Sequence, residues 1–266
     1  MINIGLAEWV LPCMGREAFI LAKSIGVVEL QVDIGKPDLG QRFLPIPSVL
    51  NEYRNLTKEY SISISAVTAN ILNDCRLTSN NGEYEDKLGK NLIDMTLNVA
   101  EQLKAKLIYF PCFRTSRIRN DSDVANVSRK IKAACIKAEA QGIFVAVECV
   151  LDSNLLNKMI RLVDRENFCL IMDVCNLFDE RLDPVEQYKY YSKYFSPQIH
   201  IKNRSIMGNS INLKRGKADY IEIITEMRKI KEPELLVLEN NYALLEIATL
   251  KDDVEFLKAN FVPDYC

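Results

Sequence analysis

Four residues able to hold a metal ion or to move a proton follow one another through the second half of the chain. Each lies at or near the end of a short apolar run typical of a buried β-strand, and the four are Glu148, Asp173, His200 and Glu239. Carboxylates gathered in one place repel one another unless a cation neutralises them. Three carboxylates and one imidazole suit a divalent ion such as Mn²⁺, Co²⁺, Mg²⁺ or Zn²⁺. Because His200 is the only histidine of the chain, the pattern predicts a site with a single nitrogen ligand.

The runs that carry these residues belong to a regular alternation of strands and helices. Runs of strand length occur at 2–7, 27–32, 62–68, 107–111, 143–148, 169–173, 198–202 and 235–239. Segments with helical spacing occur at about 15–25, 47–59, 84–104, 122–141, 155–164, 184–194, 217–230 and 246–260. This alternation predicts an α/β protein, a single (β/α)8 TIM barrel with one domain over residues 1–266. An open, doubly wound sheet is the competing architecture, but no glycine-rich phosphate motif follows the first run.

Charge and composition exclude several classes of function. The chain has 34 basic and 36 acidic residues, and this balance provides no general attraction to nucleic acid or to an anionic membrane. No uncharged run approaches the roughly 20 apolar residues that span a bilayer, and the first residues lack the pattern of a signal peptide. The eight cysteines are scattered without a CxxC pair, which argues against a zinc knuckle and a disulfide scaffold. We expect a cytoplasmic protein without nucleic-acid or membrane partners.

Several motifs together resemble the xylose isomerase-like barrels, a family of sugar and sugar-phosphate isomerases and epimerases. They are GVVEL (26–30), VAVEC (145–149), IMDVCN (171–176), QIHIKN (198–203), LKRGKAD (213–219) and VLENN (237–241). The resemblance covers nearly the whole chain and implies that Glu148, Asp173, His200 and Glu239 bind one divalent metal ion. It further implies that Glu148 and Glu239 act as acid and base in proton transfer through a metal-stabilised enediolate. Asp173 and His200 are then ligands only.

Other residues are expected to contact the substrate. Asn176 stands where the family often has a histidine that helps to hold a substrate oxygen, and Glu29 matches a common family glutamate whose role is substrate-facing or structural. Lys202 shares the strand parity of His200 and is expected at the barrel mouth, with a lysine reaching solvent as the alternative. Trp9 is expected to form an apolar wall of the pocket, or else to pack in the core. Basic residues that would suit a substrate phosphate or carboxylate follow the fourth and seventh strands: Arg114, Arg117, Arg119, Arg204, Lys214 and Arg215.

Departures from the family pattern leave the substrate open. Asn203 replaces an aspartate that commonly follows His-x-Lys, and Lys214 fills the first position of a glycine pair, so that only Gly216 remains. The leading expectation is a metal-dependent isomerase or epimerase of a small sugar, keto-polyol or sugar phosphate, assembled by family analogy as a homo-oligomer. The alternatives are a metal-dependent dehydratase of a keto-inositol or sugar, and a sugar-sensing barrel without catalysis. The related apurinic endonucleases are excluded, because their trinuclear zinc site needs several histidines.

Overall fold

Eight parallel strands close into a barrel in chain order in the computed structural model, which describes residues 2–37 and 42–262. The strands are β1 (Asn3–Ala7), β2 (Glu29–Asp33), β3 (Ser63–Thr68), β4 (Leu107–Pro111), β5 (Phe144–Glu148), β6 (Phe168–Asp173), β7 (Phe195–Ile201) and β8 (Leu235–Leu238). The predicted (β/α)8 barrel is therefore confirmed. The seventh strand begins at Phe195, earlier than predicted, and β8 ends one residue before Glu239.

Helices separate the strands throughout the described residues. They are α1 (Arg16–Ser24), α2 (Pro47–Tyr60), α3 (Tyr84–Leu103), α4 (Asp121–Ala138), α5 (Ser153–Val163), α6 (Val174–Asp179), α7 (Pro184–Tyr191), α8 (Tyr220–Ile230) and α9 (Ile247–Phe261). The short α6 was not predicted, and it begins directly after β6 because Asp173 accepts a hydrogen bond from the backbone N–H of Asn176 at 2.8 Å. None of the helices within the described ranges combines the length and apolar character that a membrane crossing requires.

The contacts group into two compact units. In the described part of the chain, one unit consists of residues 2–31, 56–63 and 172–262, and the other consists of 32–37, 42–55 and 64–171. The first unit holds β1, β7 and β8, whereas the second holds β4 and β5; β2, β3 and β6 each have residues in both units. A single domain over residues 1–266 stays a prediction, and its terminal residues and 38–41 lie outside the described residues.

Strand register in the first unit decides which side chains share a level of the barrel. Parallel pairing places Ala7 opposite Gln31 in β1 and β2, and His200 opposite Val237 in β7 and β8. Gln31 and His200 are both fully buried. Since side chains alternate along a strand, these two polar residues lie among the inward-facing positions while their sequence neighbours pack outward.

The segment after β7 is held by the fully buried Asn203. Its Nδ2 donates to the carbonyl oxygens of Leu213 at 2.8 Å and Ala218 at 2.9 Å, and its Oδ1 accepts from the Ala218 N–H at 3.1 Å. Its own N–H donates to Asn240 Oδ1 at 2.8 Å, which joins the segment to the residues after β8. A carboxylate cannot donate, so the aspartate common in the family would lose both bonds to the carbonyl oxygens. The asparagine therefore has a structural reason to be here.

Asn203 leaves no room for a side chain at Gly216. A Cβ atom there would lie 2.0 Å from Asn203 Cγ, so we expect Gly216→Ala to lower the free energy of unfolding by about 1–3 kcal/mol or more through overpacking. The matched control is Gly89→Ala in α3, where a Cβ would meet only Leu77 Cδ1 at 3.5 Å and the helix gains up to about 1 kcal/mol. Urea unfolding of both variants measures the difference. Equal stabilities would contradict this account of Asn203.

Candidate metal centre

Four strand-end side chains bring their ligand atoms together. Glu148, Asp173, His200 and Glu239 each offer one atom, and these four atoms all lie within 4.8 Å of one another. Atoms bound to one ion at about 2.0–2.4 Å cannot lie further apart than about 4.8 Å, so the set fits a single divalent ion. Oxygen and imidazole donors in this ratio also suit such ions chemically. The four residues can therefore hold a metal ion, and their role as its ligands stays a prediction.

The barrel explains why residues so far apart in sequence meet. Glu148 ends β5, Asp173 ends β6, His200 is the penultimate residue of β7, and Glu239 directly follows β8. The carboxyl ends of parallel barrel strands share one rim, which is where enzymes of this architecture carry their active sites. Glu148, Asp173 and His200 are buried, whereas Glu239 is partly buried.

The ammonium group of Lys202 lies among these carboxylates. Its Nζ is 2.7 Å from Asp173 Oδ2 and 2.9 Å from Glu239 Oε2. Tyr220 fixes the backbone beneath it, because its hydroxyl donates to the Lys202 carbonyl oxygen and accepts from the Lys202 N–H at 3.2 Å. Lys202 thus reaches the strand-end cluster, as its strand parity predicts, and supplies positive charge to two of the three acids.

Trp9 fixes the other oxygen of Glu239. Its indole Nε1 donates to Glu239 Oε1 at 3.2 Å from a 3₁₀ turn that covers Glu8–Val10, directly after β1. Glu8, the first residue of this turn, is buried, and its Oε1 accepts a hydrogen bond from the Gly15 N–H at 2.7 Å. This bond ties the turn to the residue that precedes α1. The sequence predicts Trp9 as an apolar wall of the pocket or as a core residue. Its ring packs against the buried cluster of Ala7, Leu235 and Val237, and its indole N–H adds a polar contact that orients one of the proposed ligands.

The two acids beside Lys202 differ in how readily they ionise. Burial raises the pKa of Asp173 above its usual range; Lys202 opposes this, and the neighbouring Glu239 charge adds to it. Burial also disfavours ionised Glu239, but the Lys202 ammonium, together with His200 where that ring is protonated, outweighs it and holds the pKa of that carboxyl well below its usual range. Glu239 is therefore ionised at neutral pH, whereas Asp173 ionises less readily than an exposed aspartate does.

Three other residues are predicted to contact the substrate, and the structure gives each of them contacts with the protein itself. Asn176 reaches Asp173 through its backbone N–H, as the first turn of α6. Glu29 is the first residue of β2, at the opposite end from the rim, and burial raises its pKa while a hydrogen bond with Ser63 opposes this. Arg204 pairs with Asp179 in a partly exposed ion pair. Substrate contacts by these residues stay predictions.

Sequence reasoning missed two glutamines next to the cluster. Gln31 Oε1 lies 3.0 Å from His200 Nε2, and Gln31 Nε2 donates to Gln198 Oε1 at 2.8 Å. One signal was available, because Gln31 is an uncharged polar residue inside the buried run ELQVD (29–33). A polar side chain at an inward-facing barrel position needs a partner there, and the predicted ligand His200 was a candidate.

Residues 19–260 match the pattern of the Xylose isomerase-like TIM barrel family. The chain belongs to this family. It is 29% identical over 258 residues to the 2-epi-5-epi-valiolone 7-phosphate 2-epimerase of Actinoplanes sp., an alignment that covers 96% of this chain and 93% of that protein. The family membership expected from the motifs is thereby confirmed.

Solved structures share the fold at low sequence identity. The 3-keto-D-glucoside 4-epimerase from E. coli superposes with a TM-score of 0.76 at 15% identity, covering 97% of this chain and 100% of that one. The D-allulose 3-epimerase from Methylomonas sp., solved in complex with D-allulose, gives 0.76 at 14% identity and covers 98% of this chain and 97% of that one. At these identities the likeness supports the barrel fold alone.

Replacing Lys202 tests whether its ammonium neutralises the cluster. We expect Lys202→Met to lower the free energy of unfolding in EDTA by about 3–5 kcal/mol, because it leaves the buried Asp173 and the partly buried Glu239 without their cation. Excess Mn²⁺ should restore part of this loss. The control is Arg204→Met two residues away, whose partly exposed ion pair is worth about 0–1 kcal/mol. Urea unfolding that gives equal losses for both variants would contradict this role for Lys202.

Proposed function

We propose that this chain is a divalent-metal-dependent epimerase or isomerase of a small sugar, keto-polyol or sugar phosphate. The observation that carries the proposal is the meeting of three carboxylates and one imidazole within 4.8 Å. The Actinoplanes relative supports it, since that protein is named as an epimerase of a phosphorylated compound. The reaction we propose moves a proton at the carbon next to a carbonyl group.

The metal would be held by Glu148, Asp173, His200 and Glu239. When bound, such an ion supplies Lewis acidity that makes the C–H next to the carbonyl more acidic and stabilises the negative charge that develops. The chain's own part is to hold the carboxylates in place. Asn176 and Lys202 each fix one oxygen of Asp173, and Trp9 and Lys202 each fix one oxygen of Glu239.

Proton transfer is assigned to the two glutamates. Glu239 is held ionised, so it is ready to accept the proton that leaves carbon. Epimerisation returns a proton to the opposite face of the same carbon, and Glu148 is the second acid/base group that this requires. Isomerisation instead returns the proton to the neighbouring carbon. A positioned acid or base of this kind contributes about 10²–10⁴-fold to the rate.

Lys202 has a proposed role toward the substrate as well. Its Nζ already contacts two acids at the barrel mouth, and an ammonium group has three hydrogens to donate. The third hydrogen is suited to a substrate oxygen that gains negative charge during the reaction. The substrate contact predicted for Lys202 is therefore part of this proposal.

Metal analysis combined with solvent exchange tests the function. We expect the purified protein to bind one divalent ion per chain and to place deuterium from D₂O next to the carbonyl of at least one ketose or ketose phosphate in a panel. Glu148→Gln and Glu239→Gln should each slow this exchange at least about 10²-fold through loss of the acid/base group. Mass spectrometry and NMR of the products provide the measurement, and metal content is determined for each variant.

The matched control is Glu234→Gln, an exposed glutamate immediately before β8, at the end opposite Glu239. It should leave exchange unchanged. Loss of water from the substrate would instead assign the dehydratase alternative, and sugar binding without exchange would assign a sensing barrel. A protein that binds no divalent ion, and whose exchange survives Glu239→Gln, would overturn the proposal.

A further inference from the structure

The Gln31 side chain is hydrogen-bonded to two residues of β7, His200 and Gln198. The Gln31 and His200 side chains are both fully buried, and the Gln31 carboxamide uses its two ends differently. Its Nε2 donates to Gln198 Oε1 at 2.8 Å, which directs its Oε1 toward His200 Nε2 at 3.0 Å. An amide oxygen can only accept, so the hydrogen of this second bond belongs to the imidazole. In this arrangement a neutral His200 carries its single ring proton on Nε2.

The other ring nitrogen then has a lone pair to offer. A neutral imidazole has one N–H, so protonation of Nε2 leaves Nδ1 as an acceptor. His200 Nδ1 lies 3.5 Å from Glu239 Oε2, on the side of the proposed ligands. A lone pair facing a carboxylate is unfavourable unless positive charge lies between them. The tautomer and the surroundings therefore both favour a cation at Nδ1.

We propose that Gln31 is a positioning residue that sets the tautomer of His200 and so presents Nδ1 to the metal ion. Gln198 acts one step further out, because its Oε1 determines which way the Gln31 amide points. This inference rests on the proposed metal-dependent function and adds to it a residue outside the set of ligands. Outer partners that fix a histidine ligand in this way typically change metal affinity about 10–100-fold when they are removed.

The single histidine makes the tautomer directly observable. Protein labelled with ¹⁵N-histidine yields ring-nitrogen signals from His200 alone, and these signals distinguish a protonated from an unprotonated nitrogen. We expect wild type to carry its proton on Nε2, and Zn²⁺, which is diamagnetic, to shift Nδ1. Gln31→Met removes the acceptor, so we expect a mixture of tautomers and a loss of Zn²⁺ affinity of about 10–100-fold by calorimetry.

Two further variants separate positioning from general damage. Gln31→Glu keeps an acceptor oxygen and should retain the Nε2–H tautomer. Gln198→Met leaves the contact with His200 but frees the Gln31 amide to turn, so it should yield an intermediate mixture. Thr96→Val removes a buried hydroxyl that donates to Leu92 O in α3; it should lower stability without changing either His200 signal, which provides the control for destabilisation.

The outcomes distinguish this inference from the proposed function. A proton on Nδ1 in wild type, or an unchanged tautomer and unchanged Zn²⁺ affinity in Gln31→Met, would overturn the role of Gln31 while leaving the metal site intact. If Zn²⁺ moved neither nitrogen in wild type, the proposed metal site itself would fail. An altered tautomer together with weakened Zn²⁺ binding in Gln31→Met, and their recovery in Gln31→Glu, would support the inference.

Discussion

The rest of this site depends on neutralising three acidic side chains gathered at the barrel mouth. Burial makes each negative charge costly, and their proximity makes the cost mutual. The surrounding groups supply positive charge and hydrogen bonds to two of these acids. Lys202 contacts both Asp173 and Glu239. Trp9 donates to Glu239, and the N–H of Asn176 donates to Asp173. Each donor comes from a different segment after a strand. Asp173 and Glu239 are therefore held by the fold, and their ionisation depends on which positive charge is nearby.

The backbone around β7 is built to keep that charge in place. Tyr220 bonds both backbone groups of Lys202, and the adjacent Asn203 ties the following segment to Leu213, Ala218 and Asn240. A lysine side chain is long and flexible, so its position relative to two carboxylates is only as well defined as its main chain. Rigid support for the backbone is consequently part of the electrostatics of the site.

The barrel and the four proposed ligands could be predicted from the sequence, because each depends on a strong local pattern of residues. Strand periodicity marks each inward-facing run, and a charged residue that ends such a run, as Asp173 does, stands out against it. The partners of these residues were harder to find. Gln31 meets His200 across 169 positions, and no local pattern connects them. Asp173 was predicted as a ligand, but its role as the N-cap of α6 was not predicted, because the short α6 itself was not.

Counting formal charges explains why one divalent ion suits this site. The three ionised carboxylates and the Lys202 ammonium leave two negative charges, and His200 adds none when its proton lies on Nε2 alone. One divalent cation would neutralise the set, whereas a second would leave the buried mouth strongly positive, which is as costly as the bare acids. A balanced set of this kind would suit the uncharged carbonyl and hydroxyl oxygens of the proposed substrate. The phosphate of a phosphorylated substrate would therefore have to be matched by cations outside it.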